Sequence, residues 1–178
     1  MTVTQMHTAY VGLGSNLLSQ AGTPVETIGA ALYALGDAGE LMAHSSLYET
    51  APVGFLDQPP FVNAVAVLRT AKGPELLLKT LLAIERSFGR NRENSVPKGP
   101  RTLDLDLLMM DDLVLNTPVL SLPHPALAER RFVLAPLAEI APELRHPILK
   151  KTVRDLLLAL PNAGVNQNDS VRRIQRVP

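Results

Sequence analysis

The sequence predicts an α+β fold, a mostly antiparallel sheet with helices packed on one face. Two observations carry this. Apolar runs of strand and helix period follow one another in the order β-α-β-β-α-β, with extra helices behind. The second and third strand runs, Leu41–Thr50 and Phe61–Thr70, follow each other without a helix, against the doubly wound alternative. The 178 residues suit one domain spanning 1–178, with about 161–178 either a loose tail or an edge strand.

Taken in order, Thr8–Leu13 reads as the first strand, ending in Gly12-Leu13-Gly14-Ser15-Asn16. Thr23-Pro24-Val25-Glu26 has the spacing of a capping box with proline in the first turn. Val25, Ile28, Leu32 and Leu35 continue it at helical spacing, and Gly36 is the expected stop. Leu41–Thr50 reads as one strand. Ala51–Pro60, with three prolines and a glycine, reads as an irregular loop. Phe61–Thr70 is a strand. Gly73-Pro74 opens a second helix with Leu77, Leu81, Ile84 and Phe88 as its stripe and Gly89 as its end. Arg90–Pro100 is a polar, basic loop, Arg101–Met110 a strand, and Asp111-Asp112 a turn that returns Leu113–Leu115 as a hairpin partner. Phe132–Ile140 and Thr152–Leu160 are helical. Val171–Val177 alternates as an edge strand would.

Composition excludes several functions. Lys plus Arg equals Asp plus Glu at 17 each, so no global basic field exists for wrapping nucleic acid. With no cysteine there is no disulfide, thiolate zinc site or cysteine nucleophile. The start lacks a signal-peptide core and no apolar run has spanning length, so a cytoplasmic location is expected.

The chemical signal is Arg101-Thr102-Leu103-Asp104-Leu105-Asp106-Leu107-Leu108. In a strand the leucines 103, 105 and 107 face one way and Asp104 and Asp106 the other. Their Cα atoms then lie about 6.6 Å apart, and the side chains can converge on a metal pair spaced by about 4 Å. Oxygen-only ligands favour magnesium. A solvated face of an amphipathic strand has the same pattern, although Asp disfavours strands. Just upstream, Arg86, Arg90, Arg92, Lys98 and Arg101 form a local cationic cluster, the usual partner of metal in phosphoryl transfer. Pro97, Gly99 and Pro100 supply hinges for closing that loop over a nucleotide. For each arginine alone, a solvated surface position is the simpler reading.

Gly12-x-Gly14 lacks the third glycine of a dinucleotide fingerprint, since Leu17 stands there, and no GK[ST] phosphate loop exists. His124, framed by Pro123 and Pro125 and six residues before Arg130, is a candidate phosphate donor or a turn histidine. Phe61 and Phe132 are either core residues or stacking partners for a flat ring. Asn63 shares the strand face of Phe61 and could read a heterocycle edge.

From Gly99 to Leu108 the chain resembles 6-hydroxymethyl-7,8-dihydropterin pyrophosphokinases of folate biosynthesis. The likeness runs through Gly12–Leu17, Ser45–Pro52, Gln58–Ala64, Ile84–Arg90, Leu122–Pro125 and Arg130–Leu137. It implies a ferredoxin-like sandwich and transfer of pyrophosphate from ATP to the pterin hydroxymethyl oxygen, releasing AMP. It further implies two magnesium ions on Asp104 and Asp106, with ATP as co-substrate. Arg90 and Arg101 match phosphate-contacting arginines of a moving loop, with Arg92 beside them. Glu85, His124 and Arg130 match nucleotide-site positions. Phe61 and Phe132 match the pterin sandwich, Asn63 the amide that reads its edge, and Thr50, Pro52 and Val53 the pocket backbone. Three positions depart: Lys98 replaces a large aromatic on a loop one residue longer, Pro125 an aromatic, and Leu82 a polar nucleotide contact. A monomer acting on small molecules, without nucleic acid or membrane, is expected. The same Asp pair would also serve another metal-dependent nucleotidyl- or phosphotransferase, or a nuclease. A small-molecule sensor domain of this fold would not need the pair.

Overall fold

The first helix begins where its capping residues place it. In the computed structural model, which describes residues 5–52, 54, 56–92, 97–161 and 171–175, helix α1 spans Pro24–Ala34. Glu26 N–H donates to Thr23 Oγ1, and Glu26 Oε2 accepts from Thr23 N–H at 2.7 Å. Gly22 precedes it with φ +110°, where any Cβ would meet the Glu26 carboxylate. Ile28, Leu32 and Leu35 are buried as their spacing predicts. Gly36 does not stop the helix; it lies in a 3-10 turn, Leu35–Asp37, that follows α1 directly. Thr23→Ala is expected to lower stability by about 1 kcal/mol through loss of this cap. Thermal unfolding checks it, with a Tm drop of about 2–4 °C for a chain of this size.

Strands β1 (His7–Ser15), β2 (Glu40–His44), β3 (Leu47–Thr50), β4 (Phe61–Thr70), β5 (Asp104–Met110) and β8 (Val171–Gln175) form one sheet. Its order is β5-β1-β4-β3-β8, with β2 beside β3 on the same side of β4, and every pairing is antiparallel. The expected single strand over Leu41–Thr50 is two strands. The chain breaks at Ser45-Ser46, where Ser45 Oγ accepts the Val65 N–H at 3.0 Å and Ser45 N–H donates to Val65 O. A serine hydroxyl bonding to nearby backbone interrupts a regular ladder in this way.

The expected return of Leu113–Leu115 onto β5 does not occur. Leu113 N–H closes on Met110 O, and Asp111, at φ 45°, binds Thr8 N–H and His7 through its carboxylate. Leu115–Asn116 (β6) pairs instead with Ser121–Leu122 (β7), around a turn closed by Thr117 and Leu120. The edge of β5 is covered by the next segment, with His124 N–H on Leu108 O at 2.8 Å. The β5 strand also starts later than expected. The backbone of Arg101 is engaged by Asn16 and Leu17, and 101–103, with a bend at Thr102, stays outside the ladder.

Helices cover both faces of the sheet rather than one. Helix α1 and α2 (Pro74–Ser87) pack on Ala9, Val11, Leu13, Leu68, Leu105 and Leu107. Helix α3 (Arg131–Ile140) packs on the other face, against Val65, Leu108 and Met109, and α4 (Val153–Ala159) packs against α3. The nearly unbroken apolar run of β4 is the sequence mark of a strand covered on both sides. The second pair of helices leaves one end of its face open. There β1 presents Gly12 and Gly14, whose lack of side chains makes room above the sheet.

Candidate active site

Leu103, Leu105 and Leu107 are buried beneath α1 and α2, and Asp104 and Asp106 project to the α3 side, as the alternation predicts. Glu85, almost wholly buried at the end of α2, accepts the Leu105 N–H at 2.8 Å. The same carboxylate takes Arg92 through two hydrogen bonds, 2.7 and 2.8 Å. A buried carboxylate thus ties the basic loop to the strand that bears the aspartates.

Asp104 gathers the arginines. Arg101 Nε lies 3.1 Å from its Oδ2, off the line of a hydrogen bond, while Arg92 and Arg90 lie 3.6 and 3.9 Å from Oδ1. The buried Nε atoms of Arg90 and Arg101 have no hydrogen-bond acceptor among the described residues. Buried guanidinium donors of this kind suit the oxygens of an incoming phosphate.

Asp106 keeps part of its surface open, but the protein packed around its carboxyl desolvates it. Its pKa is pushed up to about 6, by burial first, then by Asp104 and Glu85, against the opposing pull of Arg130 and Arg101. Two close carboxylates in a half-buried slot of about 30 Å³ form a site that a cation would relieve. Among the described residues no third His, Cys, Asp or Glu joins them in a metal-holding group. Two carboxylates with water and phosphate oxygens completing the shell is a donor set that fits magnesium.

The slot shares Asn63, Arg101, Arg130 and Phe132 with a larger cavity of about 320 Å³. Thr50, Ala51, Phe61 and Lys98 complete much of its wall. Asn63 donates to Thr50 Oγ1 at 2.7 Å, and its Oδ1 would stand 3.0 Å from a Cβ at position 14. Gly14 therefore permits the close approach of this amide. Arg101 stacks on Phe61 at 4.8 Å and Arg130 on Phe132 at 5.7 Å. Pro52 is not among the lining residues, and Val53 lies outside the described residues.

His124 is set beside this cluster by the loop on the edge of β5. Its Nδ1 accepts the Ala126 N–H at 3.2 Å, which leaves Nε2 as the protonated nitrogen of the neutral ring. Burial, then Arg130, hold its pKa below the usual histidine value. On the far side of the basic loop, Glu85, Arg90, Arg92 and Leu82 line a surface cavity of about 520 Å³.

Two residues given no role by sequence reasoning join the loops around the site. Buried Asn16 donates to Gln58 Oε1 and Pro59 O and accepts the Arg101 N–H, all within 3.0 Å. Gln58 in turn donates to Lys98 O at 2.9 Å. The only hint in the sequence is the polar Asn16 closing an apolar strand.

The chain matches a family model described as 7,8-dihydro-6-hydroxymethylpterin-pyrophosphokinase (HPPK) over residues 10–142. It is 46% identical over 160 residues to the 2-amino-4-hydroxy-6-hydroxymethyldihydropteridine pyrophosphokinase of Pseudomonas aeruginosa, covering 89% of this chain and 94% of that one. It is 38% identical over 159 residues to the folic acid synthesis protein fol1 of Schizosaccharomyces pombe, covering 88% of this chain but only 21% of that protein. A crystal structure of wild-type Plasmodium falciparum HPPK-DHPS aligns at TM-score 0.69 and 18% identity, over 86% of this chain and 44% of that one. The chain thus spans a minor part of the longer relatives and nearly all of the shorter one.

Proposed function

The chain belongs to the 7,8-dihydro-6-hydroxymethylpterin-pyrophosphokinase family, and from that premise we propose that it transfers the terminal pyrophosphate of ATP to the hydroxymethyl oxygen of 6-hydroxymethyl-7,8-dihydropterin in folate synthesis. The observation that carries the reading is the continuity of the two-carboxylate slot with the aromatic-walled cavity through Asn63, Arg101, Arg130 and Phe132. A flat heterocycle in the cavity, between Phe61 and Phe132, directs its hydroxymethyl arm towards Asp104 and Asp106. Asn63, oriented by Thr50, reads the ring edge.

In the reaction, the hydroxymethyl oxygen bonds to the β-phosphorus of ATP, the α–β bridge breaks, and AMP leaves with the bridging oxygen. Magnesium, two ions in this reading, would supply neutralisation of the triphosphate and of the charge that grows on the leaving oxygen. Asp104 and Asp106 would hold it. Arg90 and Arg101 clamp the phosphates, with Arg92 held beside them by Glu85. The Nε2–H of His124 and the guanidinium of Arg130 are further donors to phosphate oxygen. In this reading Asp106 would lie near the attacking hydroxyl and would receive its proton. The cavity lined by Glu85 and Leu82 is the candidate seat of the nucleoside end.

No helix among the described residues is long and apolar enough to cross a membrane. The neutral net charge offers no general field for nucleic acid, and in this reading the protein acts on small molecules as a cytoplasmic monomer. The test is incubation with ATP and magnesium, with and without the hydroxymethyl pterin, followed by separation of the nucleotides. AMP and diphosphorylated pterin are expected in equal amounts, and only when pterin and magnesium are both present. ADP formation, or AMP without pterin, would overturn the reading, and ADP would favour an ordinary phosphotransferase.

A further inference from the structure

A dense polar cluster outside the site lies at the far end of α3, and the proposed reaction uses none of its members. Glu139, in the last turn of α3, accepts Ser46 N–H at 3.0 Å, Ser46 Oγ–H at 2.8 Å and Tyr48 O–H at 2.9 Å. Arg173 of β8 lies 3.1 Å from Glu139 Oε1, and its Nε donates to Ser46 Oγ at 2.9 Å. One carboxylate therefore joins α3, β3 and the C-terminal strand. A second pair, Arg172 with Glu49 at 2.8 Å, fastens β8 to β3 through the neighbouring residue of each strand.

The cluster's position matters more than its size. Burial pushes the Glu139 carboxyl up, but the hydrogen bonds from Ser46 and Tyr48, with Arg173, outweigh it and hold the group below its usual range. Burial and Glu139 push the Tyr48 hydroxyl up to about 12, so it stays a donor. Ser46 sits at the break between β2 and β3, where this side of the sheet lacks a continuous strand. Seven residues before Glu139, about 10 Å along the helix, α3 presents Phe132 to the heterocycle cavity. Two residues after Tyr48, on the same face of β3, comes Thr50, which also lines the cavity and accepts a hydrogen bond from Asn63. Helix α3 and strand β3 are thus joined at this cluster and meet again in the cavity wall, through Phe132 and Thr50.

We propose that Glu139 and Arg173 are positioning residues for the heterocycle cavity, with the C-terminal strand as the part that locks α3 and β3 at the separation the ring requires. The inference deepens the reading above and rests on it for the identity of the ring.

The test uses the full chain carrying Arg173→Ala, Arg173→Lys or Glu139→Gln. Steady-state kinetics give KM for pterin, KM for ATP and kcat; hydrogen exchange follows the amides of β3 and α3. Arg173→Ala is expected to raise the pterin KM about tenfold, leaving the ATP KM and kcat within twofold. Arg173→Lys should recover part of that loss, because an ammonium reaches Glu139 without bridging Ser46 as well. Exchange should quicken in β3 and α3 and stay unchanged in β1. An unchanged pterin KM, or a parallel loss in all three constants with a lowered Tm, would overturn the proposal. If the unaltered protein forms no diphosphorylated pterin, the functional reading fails separately. Exchange then decides, and unchanged β3 and α3 protection in Arg173→Ala rules out the lock. Should Arg173→Ala fail to fold, Arg173→Lys and Glu139→Gln carry the same comparison.

Discussion

Asp104→Ala and Asp106→Ala are each expected to lower kcat by at least about a thousandfold, some 4 kcal/mol of transition-state stabilisation. The size follows from the scarcity of ligands. Among the described residues only these two carboxylates line the slot, so losing either halves what the protein offers a cation there. The two variants should differ in how they bind ATP. Asp104 is within 3.9 Å of three arginine side chains, and its removal releases them towards phosphate. Magnesium-free ATP affinity should therefore hold or tighten in Asp104→Ala while turnover collapses. Asp106 has no ion pair among the described residues, so Asp106→Ala should lose turnover far more than ATP affinity. Single-turnover quench kinetics beside calorimetric ATP titrations separate the two quantities. Equal losses of kcat and ATP affinity in Asp106→Ala would show that the residue only helps bind the nucleotide, and would remove it from the chemistry.

Much of this arrangement is legible in the residue order because it is local. The capping box of Thr23 and Glu26, the stripe of α2 and the opposed faces of β5 depend on spacing over a few residues. The family likeness adds the assignment of distant residues to one site, which periodicity alone could not supply. What stayed hidden is tertiary. The meeting of Asn16 with Arg101 spans 85 positions and that of Ser46 with Glu139 spans 93, with no pattern linking either pair. The break at Ser45-Ser46 was hidden because both residues fit an extended chain, and only the Val65 N–H across the sheet reveals the interruption. The helices on the second face were missed for a different reason. Helix periodicity marked α3 and α4 correctly as helices but says nothing about which side of a sheet they cover. The apolar continuity of β4 did carry that information.

Asp106→Asn is expected to stabilise the magnesium-free protein at pH 8 while abolishing turnover. The carboxyl's pKa rises from 3.8 in a free chain to about 6 in the fold. Between those values the folded state binds more protons than the unfolded one, so stability falls as pH rises, and the full cost is present above the folded value. Two units at about 1.4 kcal/mol each give a cost on the order of 3 kcal/mol, carried by the folded protein at pH 8. An asparagine of nearly the same shape carries no charge to desolvate and none for Asp104 or Glu85 to repel. Urea unfolding in EDTA should therefore show a stability gain of about 2–3 kcal/mol at pH 8 that shrinks through pH 6 and disappears below pH 4. Added magnesium should stabilise the unaltered protein and narrow the difference, because bound cation relieves the repulsion that the substitution removes. A variant less stable than the parent at pH 8 would mean that the ionised carboxylate is already compensated by Arg130 and Arg101. The strain on which the proposed metal site rests would then be absent. Stability given up at one residue for the sake of a charge that only a cation can satisfy is how an enzyme keeps such a site selective for its loaded state.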